Sequence, residues 1–151
     1  MDNIKSDTRS YLSFKLGNEI FATDVKSTIK ILQLPEITKV PESPKKMAGL
    51  INHHGNVLPV YDLNKSMDLK DNCYDKNTCV IILSNDNYNN IGLIVNDVLS
   101  VEEVKAEDIK PPPQIGENTK LENIAGIFQK NDNFIMILDV NDIFKQIKSE
   151  Y

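Results

Sequence analysis

The sequence predicts an all-β protein made of two packed barrels, and three observations carry that expectation. Short apolar runs recur along the chain with turn residues between them. Only the last segment shows apolar residues at helical spacing. Most tellingly, Met47-Ala48-Gly49-Leu50-Ile51-Asn52-His53-His54-Gly55-Asn56-Val57-Leu58-Pro59-Val60-Tyr61-Asp62-Leu63-Asn64 is matched without a gap by Ile124-Ala125-Gly126-Ile127-Phe128-Gln129-Lys130-Asn131-Asp132-Asn133-Phe134-Ile135-Met136-Ile137-Leu138-Asp139-Val140-Asn141. A duplicated strand–turn–strand unit implies two similar lobes, whose seam is a natural docking place.

The chain has 151 residues, enough for one domain or for two small lobes sharing a core. A unit of half that size buries only about 60% of its unfolded surface. The expectation is therefore a single domain over 10–147, with lobe one at about 10–67, lobe two at about 77–138, a C-terminal helix over 139–149 and a flexible N-terminus over 1–9.

The elements follow in order. Tyr11-Leu12-Ser13-Phe14-Lys15-Leu16, the turn Gly17-Asn18 and Glu19-Ile20-Phe21-Ala22-Thr23 read as a hairpin. Asp24 is placed to cap a helical turn over Val25-Lys26-Ser27. Thr28-Ile29-Lys30-Ile31 reads as a strand with Ile29 and Ile31 on one face. Pro35, Pro41 and Pro44 mark an extended loop. The first repeated hairpin comes next, with its tip expected at Gly55-Asn56, and Pro59 there favours an edge strand or a bulge. After a polar connection, Thr78–Leu83 and Ile91–Val95 are strands joined by an Asn-rich turn. Val98–Val104 corresponds to Val25–Ile31, and Pro111-Pro112-Pro113 to the earlier proline loop. The second hairpin leads into a helix beginning at Asp139.

Chemistry is sparse. The two histidines, His53 and His54, are adjacent, and neighbouring strand residues face opposite ways, which opposes a shared metal unless the chain turns sharply. No nucleophile motif stands near them, and a small hydrolase built on His54 is the enzyme alternative. Six glycines, mostly single, write no phosphate loop. Asp62 and Asp139 read as helix caps, Gly49 and Gly126 as points of close backbone approach, and Glu102-Glu103 and Glu107-Asp108 as a solvated face. Of the two cysteines, Cys79 opens an apolar run and Cys73 reads as a loop thiol, and their spacing fits no common zinc pattern. The net charge of −5, with basic residues scattered, opposes nucleic-acid binding, which leaves a nucleic-acid-binding barrel as a weak alternative. No apolar run approaches the ~20 residues of a membrane span and no signal peptide opens the chain. The expected product is a cytoplasmic interaction module with no catalytic residue, no cofactor, no metal and no membrane insertion.

From about Ser10 to Phe144 the order and spacing of motifs resemble the CheW-like domain of bacterial chemotaxis coupling proteins. The resemblance rests on Tyr11–Gly17, Phe21–Val25, Val40-Pro41 through Pro44, Gly92–Val98, Ile109–Pro113 and above all Gly49–Leu63, ending Leu58-Pro59-Val60-Tyr61-Asp62-Leu63. It implies two five-stranded SH3-like β-barrels and a scaffold joining transmembrane chemoreceptors to the histidine kinase CheA. It implies that the receptor's helical hairpin tip lies in the groove between lobes. The kinase's own CheW-like regulatory domain is expected to pair through the barrel ends, building rings at the inner face of the membrane. Carried onto this chain, the receptor-groove candidates are Thr28, Ile29, Lys30, Ile31, His54, Gly55, Cys79 and Gly92; the kinase-contact candidates are Pro41, Pro44, Met47, Gly49 and Val57. Two positions depart from the family's pattern, with Lys30 where Glu is frequent and His54 where Arg is frequent. Those positions are associated with passing receptor state to the kinase, so the resemblance also leaves room for a divergent array adaptor that does not activate it.

Overall fold

The computed structural model of the protein describes residues 7–42, 47–63, 74–87, 89–112 and 123–149. Ten strands are described: β1 (Thr8–Leu16), β2 (Glu19–Asp24), β3 (Thr28–Gln33), β4 (Met47–His53), β5 (Asn56–Tyr61), β6 (Cys79–Ser84), β7 (Asn90–Val95), β8 (Asp97–Lys105), β9 (Ile124–Lys130) and β10 (Asn133–Leu138). The helix α1 (Val140–Ser149) follows. The strands form two five-stranded sheets, ordered β8-β1-β2-β10-β9 and β3-β6-β7-β5-β4.

These orders correct the expected lobes. The halves 10–67 and 77–138 do not each own a sheet. One barrel, here the terminal barrel, takes β1 and β2 from the first half and β8, β9 and β10 from the second. The central barrel takes β3, β4 and β5 from the first half and β6 and β7 from the second. The duplication is real, but each copy lends its last three strands to the other's first two. Each barrel has one parallel join, β2 with β10 through Phe21–Met136 or β5 with β7 through Val60–Gly92, and one antiparallel join, β1 with β8 or β3 with β6.

The repeat explains why the layers stack. Alternate residues of a strand face opposite ways. Ile51, Leu58 and Val60 point into the central barrel. Their repeat mates Phe128, Ile135 and Ile137 point into the terminal barrel. Tyr61 and Leu63, with mates Leu138 and Val140, turn to a third core between the barrels, joined there by Phe14, Leu16, Ile81, Leu93 and Val95. Because β6 is buried on both faces, its near-continuous apolar run is required rather than alternating. Helix α1 seats Val140, Ile143 and Phe144 on this shared core, and each such buried side chain contributes about 1.5–3 kcal/mol.

Local chemistry follows the sequence closely. Asp24 Oδ1 accepts from the Lys26 backbone N–H at 2.9 Å and caps the 3-10 turn Val25–Ser27. Asp139 Oδ1 accepts from the Asp142 N–H at 3.1 Å at the start of α1. The N-terminus corrects one expectation: Thr8 and Arg9 already pair with Lys105 and Val104, so 8–9 are strand, while 1–6 lie outside the described residues. Pro59 stands in an internal strand, not an edge. It precedes by one residue the point at which β5 meets β7, at Val60, so its missing N–H falls outside that short parallel pairing.

Candidate functional site

The two ends of each sheet order face one another where the barrel closes, and a loop stitches each closure. Thr38 exchanges two backbone hydrogen bonds with Leu50, at 2.9 and 2.8 Å. Lys110 does the same with Ile127, at 2.8 Å both ways. The glycines beside these stitches are the expected close approaches. A Cβ on Gly49 would lie 2.3 Å from the Thr38 carbonyl oxygen, and one on Gly126 would lie 2.7 Å from Ile109 Cγ2 and 3.2 Å from the Lys110 carbonyl oxygen.

The two repeated hairpins turn with two residues at positive φ, His54 and Gly55 in one and Asn131 and Asp132 in the other. Such primed turns match the twist of the flanking strands. The first tip is therefore His54-Gly55, one residue earlier than expected. Asn52 Oδ1 accepts from the Gly55 N–H at 3.0 Å and holds it.

Charge divides the two barrel mouths. In the terminal barrel, Glu102 of β8 receives hydrogen bonds from Lys130 of β9, from Ser100 Oγ at 2.6 Å and from Ser13 Oγ at 3.4 Å. Glu102 is buried, which corrects its reading as part of a solvated face, whereas Glu103 is exposed as expected. The Lys130 hydrogen bond, then that of Ser100, holds the Glu102 carboxyl below the ordinary carboxylate range. The mouth is a concavity of about 440 Å³ lined by Ser13, Ser100, Glu102 and Lys130 among others.

In the central barrel the position of Lys130 is occupied by its repeat mate His53. His53 and Ile51 share a face of β4, and Ile51 lies in the barrel core. Across the closure, Lys30 of β3 opposes Ile82, another residue of that core. His53 stacks on His54 with ring centroids 4.1 Å apart. Desolvation first, then His54 and Lys30, lowers the His53 pKa from its ordinary value. Among the described residues the ion pairs are Arg9–Asp7 and Lys130–Glu102, so Lys30, His53 and His54 meet no carboxylate.

The apolar candidates sort by exposure. Ile31 opposes Ile81, whose side chain lies in the core between barrels, so Ile31 carries that face out to solvent at 41% exposure. Ile29 sits at a bulge, the register slipping between Thr28 and Lys30, and is 57% exposed. Such a bulge re-aims a side chain. Neither Ile29 nor Ile31 is a core residue. Thr28 is half-buried, its Oγ1 donating to the Asp24 carbonyl at 3.1 Å. Cys79 is half-buried against the shared core, and burial raises its thiol pKa. Gly92 is buried, and a Cβ there would meet Val80 at 2.8 Å and Val60 at 3.1 Å, so it packs inside the barrel.

Of the kinase-contact candidates, Met47 and Gly49 are buried. Pro41 is exposed, and Pro44 lies outside the described residues, as does Cys73. Val57 is 64% exposed, and so is its repeat mate Phe134. Phe134 lines a largely apolar groove of about 1100 Å³ with Val104, Pro111, Ile127, Phe128 and Met136. The sequence reading missed Phe134, although its alignment with Val57 was the available signal. It also missed His53 as the partner of Lys30. Among the described residues no three His, Cys, Asp or Glu side chains gather as a metal would need, and no helix is long and apolar enough to cross a membrane.

Comparison with known proteins agrees with this architecture. The CheW-like domain family model matches residues 10–148. The chemotaxis protein CheW of Klebsiella aerogenes is 27% identical over 135 residues, 89% of this chain and 81% of that protein. That of Helicobacter pylori is 28% identical over 137 residues, 90% of this chain and 81% of that protein. The crystal structure of the scaffolding protein TtCheW from Thermoanaerobacter tengcongensis superposes with a TM-score of 0.78 at 28% identity, covering 86% of this chain and 88% of the other. With the two interlocked sheets and a family match over nearly the whole described length, the chain belongs to the CheW-like domain family.

Proposed function

We infer that the protein is a chemotaxis adaptor, a scaffold that couples receptors to a CheA-type histidine kinase through protein–protein contacts and transforms no substrate. The observation that carries this reading is the family match over residues 10–148 on a fold whose shared core runs out to solvent at Ile31. A helical receptor tip fits the exposed face of β3, with Ile29 and Ile31 as apolar anchors and the Thr28, Cys79 and His54-Gly55 neighbourhood as its border. The kinase's regulatory domain is assigned to the outer surfaces, with Pro41 and Val57 on the central barrel. Phe134 offers an equivalent apolar contact on the terminal barrel, so that rings are built from alternating partners. Work at the inner face of the membrane follows from binding receptors rather than from a membrane span. Individual contacts near 1 μM, about −8 kcal/mol each, suffice when many are linked.

A second reading keeps the scaffold and removes activation of the kinase. It is favoured by Lys30 and His54, which stand near His53 where the family's pattern has a Glu and an Arg. Reconstitution with receptor and kinase separates the two, comparing the wild type with the double variant Lys30→Glu, His54→Arg. Full activation by the wild type supports a standard coupler. Activation gained only by the double variant supports the non-activating adaptor. Failure of the wild type to bind either partner overturns both.

A further inference from the structure

We propose that the mouth of the central barrel, formed by Lys30, His53 and His54, accepts a carboxylate side chain from the helical partner that rests on Ile29 and Ile31. This deepens the receptor reading of the same surface and rests on it.

The molecule supplies its own control. Both barrels close between the end strands of their sheets, and both place an ionisable pair across the closure on the core-facing side. In the terminal barrel the pair is complete, because Lys130 donates to Glu102. In the central barrel the Lys130 position is His53, and the residue acting on it from the opposite end strand is the cation Lys30. No carboxylate of the described chain neutralises this mouth. A protein of net charge −5 that leaves such a cluster without a counter-charge has a place for an outside acid.

The surroundings favour a side chain over a free ion. Lys30 lies on an end strand between the two exposed anchors Ile29 and Ile31. A partner seated on those anchors reaches the mouth around the edge of β3. The tip that carries His54 is held by the Asn52–Gly55 hydrogen bond, so the imidazoles are presented on a fixed turn. Apolar anchors supply affinity, and the charge contact supplies register and discrimination between partners.

The proton linkage has a definite sign. The charged groups acting on His53 are His54 on its own hairpin and Lys30 on β3, and all are cations when protonated. Desolvation first, and then these cations, resist protonation of His53 in the free protein. A carboxylate bound among them offsets that resistance, so binding takes up protons and tightens as pH falls.

The experiment uses the full chain and the cytoplasmic hairpin of a chemoreceptor, titrated calorimetrically at about pH 6 and about pH 8 in buffers of differing ionisation enthalpy. Tighter binding at the lower pH by about threefold or more is expected, with net proton uptake. Lys30→Glu is expected to weaken binding by about tenfold at both pH values, equivalent to about 1.4 kcal/mol. His53→Gln is expected to bind with little pH dependence. A hairpin whose tip carboxylates are changed to amides is expected to lose the preference for Lys30. Binding that ignores Lys30→Glu, His53→Gln and the amide hairpin overturns this inference while leaving the receptor reading standing. Competition by excess inorganic phosphate without any effect of the amide hairpin overturns it in favour of a free-anion site. No binding of the hairpin at either pH overturns the receptor reading and this inference with it.

Discussion

Glu102 is a buried carboxylate at the closure of the terminal barrel, where Lys130 and two serine hydroxyls donate to it. Two adjacent glutamates look like a solvated face, and Glu103 obeys that rule. Glu102 does not, because β8 and β9 are the ends of one sheet order and their closure brings Lys130 to it. Such a contact joins residues from strands that share no ladder, so no local pattern announces it. Replacing Lys130 with Met leaves a buried carboxylate held by two hydroxyls alone and is expected to cost about 2 kcal/mol. Glu102→Gln, which leaves Lys130 half-exposed to water, is expected to cost less. The depressed pKa of Glu102 sets the pH dependence. Its contribution is present above the ordinary carboxylate value and is lost as pH falls through the lower value held in the fold. Urea unfolding at neutral and acid pH is expected to show the gap between wild type and Lys130→Met narrowing on acidification. A gap independent of pH counts against the pair.

The repeated hairpins show what element-level pattern makes legible. Alternation assigned the two faces of each hairpin, and the matched Ala-Gly pairs marked where a loop strand crosses. The unequal strain of the two glycines was hidden, because it depends on backbone angles. Gly49 has φ +153° and faces a rigid carbonyl, whereas Gly126 lies outside the strained region and faces a side chain able to shift. Gly49→Ala is expected to destabilise by on the order of 3 kcal/mol and Gly126→Ala by clearly less, as measured by thermal or urea unfolding. Equal effects argue against the stitch at Thr38 as the cause. At the exposed ends of the same hairpins, Val57→Ala and Phe134→Ala are expected to leave stability within about 0.5 kcal/mol. If Val57 is a kinase contact, its variant weakens kinase binding in a pull-down at unchanged stability.

Across the whole molecule, the fold class and the duplication were legible, and the exchange of strands between copies was not. A repeat reports which segments are alike and says nothing about which copy they pair with. The exchange appears only when β8 is seen on β1 and β3 on β6. It makes the barrels interdependent, as does the shared core of Phe14, Leu16, Ile81 and Leu93. Unfolding is accordingly expected as one transition, with amide exchange protection lost together in β1–β2 and β6–β7. Two separated transitions, or a half-chain that folds alone, would contradict the interlock.

The interlock also orders events on the ribosome. The sheet opened by Thr8 is complete only when Leu138 has emerged, whereas β3 through β7 arrive as one stretch ending at Val95. The newborn β1–β2 hairpin therefore gains β8 on its β1 side soon after Val95 but waits with its β2 side bare until β10 emerges, the situation in which strands of neighbouring chains pair by mistake. The early central barrel gives it a greasy surface to rest on until the last strands arrive.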